Sequence, residues 1–165
     1  MAVSLLRTNK ELAEIYDRHF ETVYRVCYTY MKNAADTEDL VHDTFCKLME
    51  TGQAFESQEH EKAWLIRTSS NLCKNKLKHW WRRHEDIETC AEVPGDEKPE
   101  TSEVLDAVLR LPEKYKTMIY SYYYEGYSSA EIANLLKVPH STVRVYLQRA
   151  RKMLKKQLGG DLYEN

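Results

Sequence analysis

The sequence predicts an all-α protein made of two small helical domains joined by a flexible acidic linker, the second domain containing a helix-turn-helix. Three observations carry this expectation. Apolar residues recur at spacings of three and four along most of the chain, and no strand-like alternation of useful length interrupts them. Only 5 Gly and 4 Pro occur in 165 residues, too few for a loop-rich β protein. Charge is segregated although the net charge is only −2. Residues 62–83 carry seven Lys or Arg and no acid, 85–106 carry nine acids against Lys98 alone, and 137–156 carry seven basic residues and no acid. Two basic stripes on a nearly neutral chain suit a polyanion held at two places. The plainer alternative is a pair of solvated helix faces.

The first predicted helix opens at Thr8-Asn9-Lys10-Glu11, a capping box whose hydroxyl and carboxylate satisfy free backbone N–H groups. Leu12, Ile15, Tyr16, His19, Phe20, Val23, Tyr24, Cys27, Tyr30 and Met31 then mark its apolar face. A second helix is expected from Asp36, as N-cap, through Leu40, Val41, Phe45, Leu48 and Met49 to Gly52. Residues 52–59 are polar and read as a loop. A third helix over about 61–83 should bury Leu65, Ile66, Leu72, Cys73 and Leu77. Trp64 is expected in the core; of Trp80 and Trp81, one should pack and the other cover the domain end. The acidic stretch with Pro94, Gly95 and Pro99 has too little apolar surface to order itself, so 85–102 reads as a linker between domains at 1–84 and 103–165.

The second domain repeats the pattern in shorter pieces. Val104, Leu105, Val108 and Leu109 mark a helix stopped near Pro112, and Tyr115, Met118, Ile119 and Tyr122 mark one ended by Gly126. Ser128-Ser129-Ala130-Glu131 is a second capping box, opening a helix with Ile132, Ala133, Leu135 and Leu136. The last helix is expected to begin near Ser141, to bury Val143, Leu147, Ala150 and Leu154, and to stop at Gly159-Gly160. Small Ala133, the turn at Lys137-Val138-Pro139-His140 and the basic helix after it together form a helix-turn-helix pattern. Such a unit places its second helix in the major groove, N-terminal residues first. His140, Ser141, Thr142, Arg144, Val145, Gln148 and Arg149 would then lie at DNA. Arg144 or Arg149 suits guanine, Gln148 suits adenine, and Val145 offers apolar contact alone. Arg151, Lys152, Lys155 and Lys156 are placed for phosphates or solvent. An αα-hairpin with a charged outer face is the structural alternative.

These segments resemble the extracytoplasmic-function (ECF) sigma factors of the sigma-70 family. The resemblance rests on 111–115 (LPEKY), 124–128 (YEGYS), Glu131-Ile132-Ala133, Thr142-Val143-Arg144 and Arg149-Ala150-Arg151 in the second half. In the first half it rests on 35–45 (ADTEDLVHDTF) and on Ala63-Trp64-Leu65-Ile66-Arg67 with Asn71. It spans about residues 11–158 in the family's order. It implies a factor that binds core RNA polymerase and directs it to promoter DNA through −10 and −35 elements. Asp36, Glu38, Asp39, His42 and Asp43 would dock on the clamp helices of the β′ subunit, where spacing alone also fits favourable acids at a helix N-terminus. Phe55 would wall a pocket for a flipped-out base, although a loop anchor explains it equally; Arg67, Asn71, Lys74 and Lys78 would hold the −10 strand. Residues 140–149 would read −35. The chain departs from the family's usual pattern at His42 (commonly Gln), Lys137 (commonly Gly) and Val145 (commonly small and polar).

The remaining expectations are negative or general. No apolar run approaches the roughly 20 residues of a membrane span, and 1–10 lack a secretory signal, so a cytoplasmic protein without membrane insertion is expected. Cys27, Cys46, Cys73 and Cys90 form no C-x-x-C pair and read as reduced thiols rather than metal ligands. No cofactor, metal or covalent chemistry is expected; an anti-sigma protein is a further partner that the resemblance allows. A stand-alone helix-turn-helix regulator and a metal enzyme built on the 36–43 acids are the rival readings.

Overall fold

The structure, a computed structural model, describes residues 8–52, 54–84 and 103–159. Within them it is helical with no strand, and the chain divides into two compact units, Met1–Pro94 and Gly95–Asn165. The expected linker at 85–102, Cys90 and the Gly160 end of the last helix lie outside the described residues.

The first unit is a bundle of α1 (Asn9–Met31), α2 (Ala34–Thr51) and α3 (Gln58–His84), each packed on the other two. The capping box starts α1: Thr8 Oγ1 accepts from Glu11 N at 3.2 Å, and Glu11 Oε2 accepts from Thr8 N at 3.3 Å. Lys32 ends it in the left-handed region at φ 65, its N–H bonded to the Tyr28 carbonyl. The N-cap of α2 is Asn33, not Asp36. Asn33 Oδ1 accepts from Asp36 N at 2.8 Å, and Asn33 Nδ2 donates to Asp36 Oδ2 at 2.9 Å. Asp36 is therefore the third helical residue and closes the cap from inside. The third helix begins earlier than expected because the Ser57 hydroxyl accepts from His60 N at 3.1 Å.

Val23, Cys27, Leu40, Leu48, Leu65, Ile66 and Cys73 form the sealed centre of this bundle. The apolar face of α1 turns slightly from its expected position: Val26 is buried, whereas Tyr16 is 42% exposed. Tyr16 instead starts an edge ladder, 5.2 Å from Phe20 and 4.8 Å from Phe45 between ring centroids. Leu72 and Leu77 are half-buried, and Trp64 likewise sits at the rim rather than in the core. Among the described residues of this unit, a carboxylate is also buried. Glu61 in the first turn of α3 accepts from Arg18 and bonds His19 Nε2 at 2.7 Å, and both Glu61 and His19 are buried. A buried carboxylate is tolerable only with such partners.

The second unit comprises α4 (Glu103–Leu109), α5 (Glu113–Ile119), α6 (Ser129–Leu136) and α7 (His140–Gln157). Its core joins Ala107, Leu111, Tyr115, Met118, Ile119, Ile132, Val143, Leu147, Ala150 and Leu154. In α4 the buried residue is Ala107, while Val104 faces solvent. The helix marked by Tyr115 to Tyr122 is not α-helical throughout. From Tyr120 to Tyr124 it widens into a π turn, with Glu125 N donating to the Tyr120 carbonyl at 3.3 Å. The capping box of α6 forms as expected, Ser128 Oγ and Glu131 Oε1 each accepting at 3.1 Å. Lys137 closes α6 at φ 56, and α7 starts at His140 with Pro139 as N-cap. Ser141 thus lies inside the first turn and supplies no cap.

Two stability tests follow from these contacts. Glu61→Ala strands Arg18 and His19 without their acceptor and should cost about 2–3 kcal/mol. All 3 tryptophans lie on α3, so urea unfolding followed by tryptophan fluorescence reads the first unit; an unchanged midpoint would remove the cluster from its support. Lys137→Gly relieves a left-handed side-chain penalty, partly offset by glycine's greater freedom when unfolded, for a gain of about 0.5–1 kcal/mol. Slower hydrogen exchange of the α6 amides is the expected sign, and faster exchange the contrary one.

Candidate nucleic-acid interface

Three surfaces carry the residues singled out by sequence. On α2 the buried row is Thr37, Leu40, Val41, Thr44 and Leu48, and helical spacing sends Asp39, His42 and Asp43 to the opposite side, where all are exposed. Glu38 is exposed beside them. Asp36 does not share this freedom, being half-buried and committed to Asn33. His42 Nε2 lies 3.4 Å from Cys46 Sγ, one turn on. Glu50 extends the same outer row and was not singled out from sequence, although its spacing of eleven from Asp39 is visible there.

On α3, Arg67, Asn71, Lys74 and Lys78 fall at i, i+4, i+7 and i+11, one narrow stripe opposite buried Leu65, Ser69 and Cys73. Asn71 and Lys78 are exposed, Arg67 and Lys74 half-buried. Trp81, at i+14 and 56% exposed, prolongs the stripe, its ring edge-on to Trp80 at 4.9 Å. Phe55 precedes the helix and is half-buried, 5.3 Å from the His60 ring and 5.8 Å from that of Trp64. It is anchored as well as accessible: with Glu11, Glu14, Ile15, Arg18 and Glu61 it lines a cavity. Of its three carboxylates, Glu61 is engaged by Arg18 and His19, and Glu11 accepts from Thr8 N. Glu11, Glu14 and Arg18 recur at i, i+3 and i+7, a pattern readable in the sequence but not assigned to the Phe55 site from it.

On α7, Val143, Leu147, Ala150 and Leu154 seat the helix on the core. His140, Ser141, Arg144, Val145, Gln148 and Arg149 are exposed, and Thr142 is half-buried at the rim. His140 Nε2 lies 2.7 Å from Ser129 Oγ, tying the start of α7 to the first turn of α6. Lys152, Lys155 and Lys156 are exposed further along. Among the described residues no group of three or more His, Cys, Asp or Glu is arranged to hold a metal, so the α2 acids do not converge. Cys27, Cys46 and Cys73 are free thiols there, and no described helix is long and apolar enough to cross a membrane.

An acidic helix face and two basic helix faces on a pair of helical units, one a helix-turn-helix, are the features of a DNA-reading transcription factor. Residues 15–83 match the family model for sigma-70 region 2, and residues 101–154 that for sigma-70, region 4. The chain is 27% identical over 167 residues to the ECF RNA polymerase sigma factor SigW of Bacillus subtilis, covering 88% of each. It is 30% identical over 141 residues to the ECF RNA polymerase sigma-E factor of Haemophilus influenzae, covering 74% of this chain and 75% of that one. The fold is shared with the sigma factor RpoE of Bartonella quintana, solved with the anti-sigma factor NepR: TM-score 0.73, 22% identity, 92% of this chain and 99% of that chain covered. The chain belongs to the ECF sigma factors of the sigma-70 family. It is a promoter-directing subunit that binds RNA polymerase.

Proposed function

We propose a division of that activity among the three surfaces. The first domain, 1–84, docks on the β′ clamp helices of core polymerase through Glu38, Asp39, His42 and Asp43 of α2, with Asp36 rigidifying the turn from which they project. The same domain holds the unpaired −10 strand on Arg67, Asn71, Lys74 and Lys78, and takes one flipped base against Phe55. The second domain, 103–165, reads the −35 duplex with His140, Ser141, Thr142, Arg144, Val145, Gln148 and Arg149. The acidic stretch 85–102 separates the two. The observation that carries this reading is the opposition on each helix of a buried row and an outward row, the latter predominantly acidic on α2 and rich in basic residues on α3 and α7. Unpaired bases need stacking and amide groups beside cations, as on the α3 stripe with Trp81, whereas duplex recognition needs a helix fixed end-on, as His140 and Pro139 fix α7. The factor works in the cytoplasm without catalysing covalent chemistry. An anti-sigma protein is a fitting regulator, since a solved protein of the same fold carries one.

Asp39→Arg combined with Asp43→Arg should weaken binding to core polymerase while the first unit melts near the wild-type temperature, because both residues are exposed. Normal binding by the doubly reversed variant would move the docking face elsewhere.

Arg149→Ala should lose about 1–3 kcal/mol of promoter binding and relax preference at one −35 position. Asn71→Ala should leave −35-dependent closed complexes intact and slow opening. Run-off yield and permanganate reactivity on duplex and pre-melted templates separate the two. The bubble should restore Asn71→Ala at least partly and leave the Arg149→Ala preference relaxed. Identical responses to the bubble would contradict the division.

A further inference from the structure

The π turn after α5 does more than end a helix. In an α-helix consecutive side chains diverge, so two neighbours do not ordinarily meet one partner. Here Tyr122 and Tyr123 both reach Arg151 of α7. The guanidinium carbon lies 4.9 Å from the Tyr122 ring centroid and 5.7 Å from that of Tyr123, and the rings meet each other edge-on at 74°. Arg151 Nε donates to Tyr123 Oη at 2.7 Å. The guanidinium thus sits in a corner of two rings with one donor engaged. Its two terminal nitrogens have no hydrogen-bond partner among the described residues, although a fork of this kind is the geometry that grips an oxyanion.

The position of this corner decides its use. Arg151 stands two turns beyond Arg144 and one turn before Lys155, all three exposed along one edge of α7. Recognition helices meet base edges near their N-termini, and residues farther along and toward the side meet the sugar-phosphate chain. We propose that Tyr123, with Tyr122, is a positioning residue for promoter binding: it holds Arg151 outstretched as a phosphate clamp on the duplex that α7 reads. The proposal rests on the −35 reading above and assigns to the tyrosine run a role that the helix-turn-helix pattern does not contain. Its physical content is preorganisation. An arginine already fixed by stacking and a hydrogen bond loses little side-chain freedom when it takes a phosphate, whereas an unsupported one loses much.

The test uses the full chain bound to core polymerase and a labelled promoter duplex, titrated across a salt series, with promoter bearing a scrambled −35 as reference. Arg151→Ala should reduce the slope of log affinity against log salt by about one, without changing −35 base preference. Tyr123→Phe removes the acceptor oxygen and keeps the ring. Because Tyr123 is 52% exposed, neither this change nor Tyr123→Ala threatens the core. Tyr123→Phe should weaken binding about threefold and Tyr123→Ala up to about tenfold, each with the slope nearly kept, since the charge remains. In the Arg151→Ala background both tyrosine changes should have no further effect. A tyrosine with a merely structural role would instead weaken binding equally in both backgrounds, and that result overturns the proposal, as does an unchanged slope in Arg151→Ala. Loss of the difference between intact and scrambled −35 in the wild type would show instead that the −35 reading itself has failed, and the clamp with it.

Discussion

The pairing of Glu61 with Arg18 and His19 is the contact on which the first unit's working surface depends. It lies at the first turn of α3, so it fixes where that helix starts on α1, and with it the direction of the whole basic stripe. Burying a carboxylate beside two basic side chains is costly unless every partner stays in place, and that cost makes the arrangement selective: a helix slipped by one residue would leave the charge unpaired. The same carboxylate forms part of the Phe55 cavity wall. One residue therefore sets both the origin of the basic stripe and the shape of the hollow at its head.

The helix ends were legible where their chemistry is local. Thr8 with Glu11 and Ser128 with Glu131 each exchange two bonds across three residues, and nothing distant can change that. Where two cap-forming residues compete, spacing alone does not choose. Asn33 captures the start of α2 because its amide both accepts from and donates to Asp36, a reciprocity a carboxylate at Asp36 could not offer alone. Pro139 displaces Ser141 because its fixed φ already suits the entry to α7. The left-handed residues Lys32 and Lys137 carry no glycine to announce them. The tyrosine run widens into a π turn in which the Tyr120 hydroxyl donates to Glu125 at 2.6 Å and the Tyr120 and Tyr124 rings stack 5.2 Å apart, contacts that no apolar spacing announces.

The candidate site was more legible than these ends, because an exposed row on a long helix is a matter of periodicity. The stripe from Arg67 to Lys78 and the outer face of α7 fall where a spacing of three and four puts them. Three-dimensional convergence was less legible. Glu11, Glu14 and Arg18 meet Phe55 across more than thirty residues of chain, and Tyr122 and Tyr123 meet Arg151 across nearly as many. No spacing rule within one element reports such meetings. Asp36 shows the same limit: its periodic position does not report its hydrogen bonds to Asn33, which leave it half-buried.

The inner face of α3 is built from small and hydroxylated residues as well as apolar ones: Ser69 and Ser70 are buried with their hydroxyls returned to the Ile66 carbonyl, beside Leu65, Ile66 and Cys73. Packing thus falls mainly on one side of the helix, and in the outward row Asn71 and Lys78 are exposed while Arg67 and Lys74 are half-buried. Substitutions at Asn71 and Lys78 therefore cost the scaffold little. Natural variation at such exposed positions can proceed in small steps that are nearly neutral for folding, so duplicated copies of the gene can diverge along this face while retaining the same bundle.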